Sequence, residues 1–251
     1  MLVAAAVCPC PPLLVPEVAA GAAPELDAAR AACVDALGVL AAARPDLLVV
    51  VGPAEQSGGG PFAQGTAGSF RGFGVDLAVR LGAALGTDQA PDQAPDHAPD
   101  RAAERELPAS LAVGAWLLER TGWADAPIEG LGVGEPLAPE RCIQTGREIG
   151  ARAERVALLV LGDASACRSV KAPGYLDERA APFDAEVARA LGAADVAAVK
   201  ALDAELAVEL KAAGRAPWQV LAGAAEDAGL SGALLYEDAP YGVGYLVATW
   251  S

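Results

Sequence analysis

The sequence predicts a single α/β domain of three layers, a mixed but mostly parallel sheet with helices on both faces. Residues 2–7, 47–51 and 156–161 are apolar runs without alternation, the pattern of strands covered on both sides. Between the first two runs lies a helical stripe of Leu26, Ala29, Cys33, Leu37 and Leu40. Strand, helix, strand in that order is a βαβ unit, whose parallel strands need a right-handed crossover. Helical patterns then alternate with apolar runs to the end of the chain, giving six or seven strands.

Each element has a local reason. The first strand stops where Pro9, Pro11 and Pro12 forbid further ladder bonding. The helix at residues 25–43 is broken by Pro45-Asp46, and the second strand runs through Gly52-Pro53 into a glycine-rich loop at 57–61. Residues 73–81 alternate loosely, as an edge or antiparallel strand does. From Asp88 the tetrads DQAP, DQAP, DHAP and DRAA follow in tandem. They are polar and rich in proline, with no apolar face to offset their ordering entropy, and predict a solvated, flexible insertion at about 87–103. A helix at 110–120, a strand at 128–133 and a helix at 139–155 lead into the strand at 156–161. Helices follow at 183–191 and 195–213, the second ending at Gly214, and Pro217 opens another that runs to Ala228. Strands at 233–236 and 244–249, joined by a loop that starts at Glu237 and Asp238, complete the domain.

Composition bounds the function. The 251 residues suit one large domain, and the 53% hydrophobic content supplies its core. Alanine is so abundant that periodicity, not helix propensity, must assign the helices. With 18 basic and 33 acidic residues, net −15, the surface repels phosphates, which argues against nucleic acid and anionic membranes as partners. A small-molecule or protein-binding role fits better. Five cysteines, an odd number without framework spacing, predict free thiols in a reducing cytoplasm. The apolar start is too short for a signal sequence, and no run reaches membrane-spanning length.

The polar loop after residue 161 sits at a carboxyl edge, where open α/β sheets bind ligands. It presents Asp163, Ser165, Cys167, Arg168, Lys171 and Tyr175. The plainer alternative is an ordinary turn at Gly162-Asp163 with Ser165 as a helix cap. Cys10, at the end of the first strand, is a reactive thiolate if Lys171 lies close enough to lower its pKa, and an inert buried thiol otherwise. The single histidine, His97, falls inside the tandem repeat, which removes a member from every Ser-His-Asp, Cys-His and two-histidine iron site. No P-loop and no Gly-x-Gly-x-x-Gly is present, and Cys8 with Cys10 does not complete a zinc site. The metal expectation is therefore none.

Four stretches taken together, CPCPPLLVPE at 8–17, LLVVVGP at 47–53, LVLGDASACRSVKAPGY at 159–175 and APYGVGYLVATW at 239–250, resemble the class III extradiol ring-cleavage dioxygenase subunit-B-like family. This is the family of protocatechuate 4,5-dioxygenase catalytic subunits, with Memo proteins as non-dioxygenase relatives. The resemblance implies Fe(II) or another divalent metal held by two histidines and a carboxylate. Here Cys10 stands in place of the first histidine, Ala54 and Glu55 where the second is expected, and Ala166 in place of the histidine base. Glu237 and Asp238 are the candidates for the carboxylate. The scaffold signature persists while the ligands are lost, so no cofactor is expected. The resulting expectation is a small-molecule-binding or scaffold protein, its cleft formed by Cys10, Ala54, Asp163, Ser165 and the loop from Glu237 to Tyr241. A divergent enzyme is the alternative, an oxidoreductase on aromatic or catechol-like substrates or a thiol- or lysine-based catalyst. It would use Cys10, Asp163, Ser165 and Lys171 for chemistry and Tyr175, Glu237, Asp238 and Tyr241 for substrate. A homo-oligomer or a non-catalytic subunit with a partner chain is a third possibility.

Overall fold

The computed structural model describes residues 1–55, 58–82 and 105–251. The tetrapeptide insertion and His97 lie outside the described residues. The chain runs β1 (Leu2–Cys8), α1 (Pro16–Ala19), α2 (Asp27–Ala42), β2 (Leu47–Pro53), β3 (Gly60–Phe62), β4 (Ala67–Ser69) and β5 (Ala78–Arg80). It continues through α3 (Ala109–Thr121), β6 (Ile128–Val133), α4 (Pro139–Gly150), β7 (Val156–Leu161) and α5 (Ala180–Gly192). The last elements are α6 (Val196–Lys200), α7 (Ala204–Glu209), α8 (Arg215–Ala224), β8 (Gly232–Asp238) and β9 (Tyr245–Trp250).

Seven strands form one sheet in the order β3-β6-β2-β7-β1-β9-β8. The four central strands, β6, β2, β7 and β1, are parallel, and β3, β9 and β8 add antiparallel edges. The fold is thus α/β with a mixed, mostly parallel sheet, and its apolar runs are its middle. Period-two geometry divides each run between two cores. Leu48 and Val50 of β2, with Ala157, Leu159 and Leu161 of β7, face α2 and α3. Val49, Val51, Val156, Leu158 and Val160 face α4, α5 and α8. A bulge between Leu2 and Ala4 lets Leu2 and Ala5, three residues apart, join the same core.

Several elements differ from the sequence reading. The single helix expected at 195–213 is two, because Asp203 accepts from the N–H groups of Glu205 and Leu206 and starts α7 afresh. The buried Gln219 amide donates to the carbonyls of Lys200 and Leu202 that the break leaves free. The strand expected at 73–81 shrinks to β5, paired with β4 in a separate two-stranded sheet, since residues 71–73 coil into a 3₁₀ turn closed by Gly74 at φ 81°. Part of the glycine-rich loop pairs with β6 as β3. The helix after Pro139 stops at Gly150, before Arg155. β8 extends to Asp238, so Glu237 and Asp238 belong to an edge strand rather than to the loop. Among the described residues, no helix is long and apolar enough to cross a membrane.

Candidate functional site

The carboxyl ends of the parallel strands gather a small group of polar side chains. β7 gives way to Gly162, where only a glycine fits: a Cβ there would lie 2.4 Å from Gly214 Cα. Asp163 follows, and its carbonyl accepts from the N–H groups of Ala213 and Gly214, at 3.1 and 3.0 Å, tying the loop to the start of α8. Its carboxylate turns toward β1, and Oδ1 accepts from Cys10 N–H at 2.8 Å. Two residues beyond β6, Glu135 Oε1 accepts from Ala216 N–H at 3.3 Å. Glu135 Oε2 lies 3.5 Å from Nε of Arg215, which is buried. Tyr245 opens β9 at the same edge and is buried. Beside this group Pro53, Ala54, Glu55, Glu135 and Pro136 line an open cavity of about 510 Å³.

Burial dominates the electrostatics. It pushes Asp163 up to about 7, against the single Cys10 N–H that favours the carboxylate. Asp163 as a residue is half-buried. Burial also raises Glu135 to about 7, with Arg215 and the Ala216 N–H opposing. The Cys10 thiol is driven well above its ordinary value by burial and then by the charges of Asp163 and Glu135. Tyr245 moves upward for the same first reason and then through Asp163. Cys10 is therefore a protonated thiol, not the thiolate nucleophile considered from the sequence.

Most of the other expected residues lie elsewhere. Ser165 is wholly buried, and its N–H and hydroxyl both donate to Asp184 of α5, at 2.8 and 2.9 Å. It belongs to the α5 side of the sheet, whereas Cys10 packs with the α2 and α3 core. Arg168 donates to the same Asp184 carboxylate at 2.9 Å. Lys171 and Tyr175 are exposed on the loop. Glu237 and Asp238 are exposed on β8, and Asp238 accepts from Ala239 N–H. Tyr241, by contrast, stays near the edge group: it is close enough to help raise the pKa of Tyr245, and its own is raised by burial and then by Glu25. Cys10, Ala54 and Asp163 thus stand at one sheet edge with Glu135 and Tyr245, and the catalytic and substrate sets expected from the sequence do not assemble.

The donor set does not fit an iron ion. Among the described residues, no three or more His, Cys, Asp or Glu side chains are placed to hold a metal. Ala54, just past the end of β2, offers no donor.

The chain matches no family model and no curated protein. Its fold is shared with a solved structure. The crystal structure of the uncharacterized protein JW3007 from Escherichia coli K12 is similar over 99% of this chain and 100% of that one, with a TM-score of 0.53 and 16% identity. At that identity the likeness speaks for the α/β architecture.

Glu135, Tyr245 and Arg215 were not legible as site residues. Glu135 follows a strand end as Asp163 does, and the same carboxyl-edge rule applies to it. Arg215 looks in sequence like an exposed helix-terminal charge.

The raised carboxyls carry a pH signature. An acid whose folded pKa exceeds its unfolded value gives stability that is full below the unfolded pKa and lost as pH rises through the folded one. For Asp163 and Glu135 that window runs from about 4 to about 7. Wild-type protein is expected to lose about 1–3 kcal/mol of stability more than Asp163→Asn between about pH 5 and about pH 8, after allowance for partial solvent access. Urea unfolding at the two pH values checks this, and parallel losses in both proteins would contradict it.

Proposed function

We propose that this chain is an extradiol-dioxygenase-like protein without the family's iron site, which binds a small, aromatic or similarly apolar molecule at the carboxyl edge of its sheet. One observation carries the reading. Cys10 and Asp163, from motifs that resemble the family's, are joined by a hydrogen bond at that edge, and the neighbouring cavity lies beside Ala54, where the family has a ligand. The cavity's walls are proline, alanine and the stems of two glutamates, which suits a flat apolar ligand with few polar contacts. The five buried, free cysteines are compatible with the reducing cytoplasm we propose for it.

The test is a thermal-shift screen of catechols and other small aromatics beside metal analysis of the purified protein. A saturable rise in melting temperature is expected for at least one compound, lost in Ala54→Trp, which fills the cavity. Stoichiometric iron in protein purified anaerobically, or oxygen-dependent opening of a catechol ring abolished by Cys10→Ala, would overturn the reading.

A second reading, an enzyme of acid–base type, is favoured by one feature: two carboxyls at the edge titrate near 7 and can both hold and release a proton at neutral pH. Turnover of a catechol-like substrate with a pH profile inflecting near 7, lost in Asp163→Asn, would establish it.

A further inference from the structure

One loop carries side chains that the folded chain itself does not use. Residues 167–177 close on themselves: Gly174 N–H donates to Ala166 O at 2.8 Å and Asp177 N–H to Cys167 O at 3.0 Å, with Tyr175 N–H on Ala172 O at 2.9 Å between them. A loop closed by its own backbone holds its tip in a fixed shape. On it Val170 is 58% exposed, Tyr175 65% and Leu176 48%. Tyr175 sits at φ 64°, a conformation that glycine takes without cost and a bulky residue does not. A tyrosine held there against backbone strain, with its ring in water, gains nothing inside this chain.

Beside the loop lies an apolar groove of about 610 Å³, walled by Pro182 and Phe183 of α5 and by Ala198, Ala201, Leu202 and Leu206. Loop and groove share one surface. Glu178, the residue after the loop closes, lines the groove. α7 supplies Leu206 to the groove, and Leu210, just past its end, accepts the Ala166 N–H at the base of the loop, at 2.9 Å. Arg179 ties the two together, paired with Asp177 at 2.7 Å and with Glu209 at 2.5 Å. Glu186 on the groove's rim is likewise paired, with Arg189 at 2.6 Å. Lys171 on the loop and Glu178 at the groove make no ion pair among the described residues.

We propose that this face is the interface of a two-fold dimer, in which each copy seats Tyr175 and Leu176 in the groove of the other. A surface with an apolar knob beside an apolar hollow, and an unpaired cation beside an unpaired anion, complements itself across a two-fold axis. Each copy gives one loop and receives one, so the contact is made twice. That doubling lets a small patch approach the roughly 800 Å² per partner of a stable interface. Lys171 of one copy then faces the acidic rim of the other at Glu178, which fixes the register. A rigid tyrosine on a pre-formed loop suits the role of anchor, because little conformational entropy is left to lose. The dimer is independent of the ligand proposed for the Cys10 edge. A negative screen of aromatics leaves it standing, and its own failure leaves that reading standing.

The experiment is sedimentation velocity on the full chain from about 1 to about 100 μM, where wild type is expected to pass from monomer to dimer with a micromolar dissociation constant. Tyr175→Gly relieves the backbone and removes the ring; it is expected to weaken the dimer at least about tenfold while the monomer melts no earlier than wild type. Ala201→Glu puts a charge on the exposed wall of the groove and is expected to weaken the dimer by at least about tenfold as well. Lys171→Glu is expected to weaken it severalfold, and adding Glu178→Lys to restore it, because the pair is then reversed rather than lost. A chain that stays monomeric throughout overturns the proposal and leaves the groove to a small apolar ligand or a different protein. Species larger than a dimer overturn it too, since a two-fold contact closes. So does a dimer indifferent to either Tyr175→Gly or Ala201→Glu, whose interface must lie elsewhere.

Discussion

Replacing Gly146 by valine is expected to leave almost no folded protein. At Gly146, α4 and α8 meet through backbone rather than side chains. A Cβ on Gly146 would lie 2.0 Å from Val220 O and 2.7 Å from Ala224 N, and a Cβ on Gly223, facing the other way, 2.1 Å from Ile143 O. No rotamer relieves such contacts, because the obstacles are main-chain atoms. The helices must separate instead, and α8 carries Trp218, Val220 and Leu221 of the core as well as the first turn beneath the cleft. Overpacking that moves a helix costs about 4 kcal/mol or more, a large share of a total stability of roughly 5–15 kcal/mol. Gly150→Ala is the control. Its Cβ would lie 3.3 Å from Ala224 O, a contact that relaxes by a few tenths of an ångström. The helix propensity gained there, about 1 kcal/mol, offsets the crowding and leaves a near-neutral change. Soluble yield and urea unfolding followed by circular dichroism measure both. A Gly146→Val protein that unfolds within about 1 kcal/mol of wild type would show that the two helices do not touch at this point.

The centre of this fold was legible because burial on both faces leaves one mark, an unbroken apolar run, and β1, β2 and β7 all carry it. The rim was not. β3 and β4 have three residues each, too short for a period to declare itself, and their glycines and the proline of β3 read as loop. The break between α6 and α7 was hidden by an apolar face continuous from Val199 to Leu210. Asp203 ends that continuity by capping, a local hydrogen bond that a hydrophobic pattern cannot record.

The site divides in the same way. Asp163 was found because a carboxyl edge follows from a strand end, a relation within a few residues. What Ser165 does depends on Asp184, nineteen positions later and on a helix, where no spacing marks it. Lys171 and Tyr175 had suitable chemistry and proximity in sequence, but the loop turns both outward, with Tyr175 at φ 64°. Gly223 and Gly146 gave no warning either, since helix-interior glycines in an alanine-rich chain read as weak propensity rather than as close approach.

Asp184→Ala is expected to lower stability by about 3–5 kcal/mol, because it removes the acceptor on which three donors converge inside the protein. Asp184 is 1% exposed; it takes Ser165 N–H at 2.8 Å, Ser165 Oγ at 2.9 Å and Arg168 Nη1 at 2.9 Å. Without the carboxylate, the Ser165 N–H and hydroxyl remain buried and unpaired, while Arg168, whose side chain is 31% exposed, can turn to water. The loss is therefore that of two neutral groups and one partly solvated ion pair rather than of a fully buried charge. Ser165→Ala removes a single hydroxyl bond and is expected to cost about 1 kcal/mol. The double variant should cost less than the sum, since the hydroxyl stranded by Asp184→Ala is absent from it. The consequence reaches the cleft. Ala164 N–H donates to Gly244 O and Gly244 N–H to Ser165 O, so the loop that carries Asp163 is braced between α5 and the start of β9. Releasing it from Asp184 should loosen the Asp163–Cys10 hydrogen bond and lower the affinity for any molecule bound at that edge. Urea unfolding of the three variants tests the first claim and ligand titration at saturating stability, in low temperature, the second. A loss below about 1 kcal/mol for Asp184→Ala would mean that water replaces the carboxylate and that the brace is not what holds the loop.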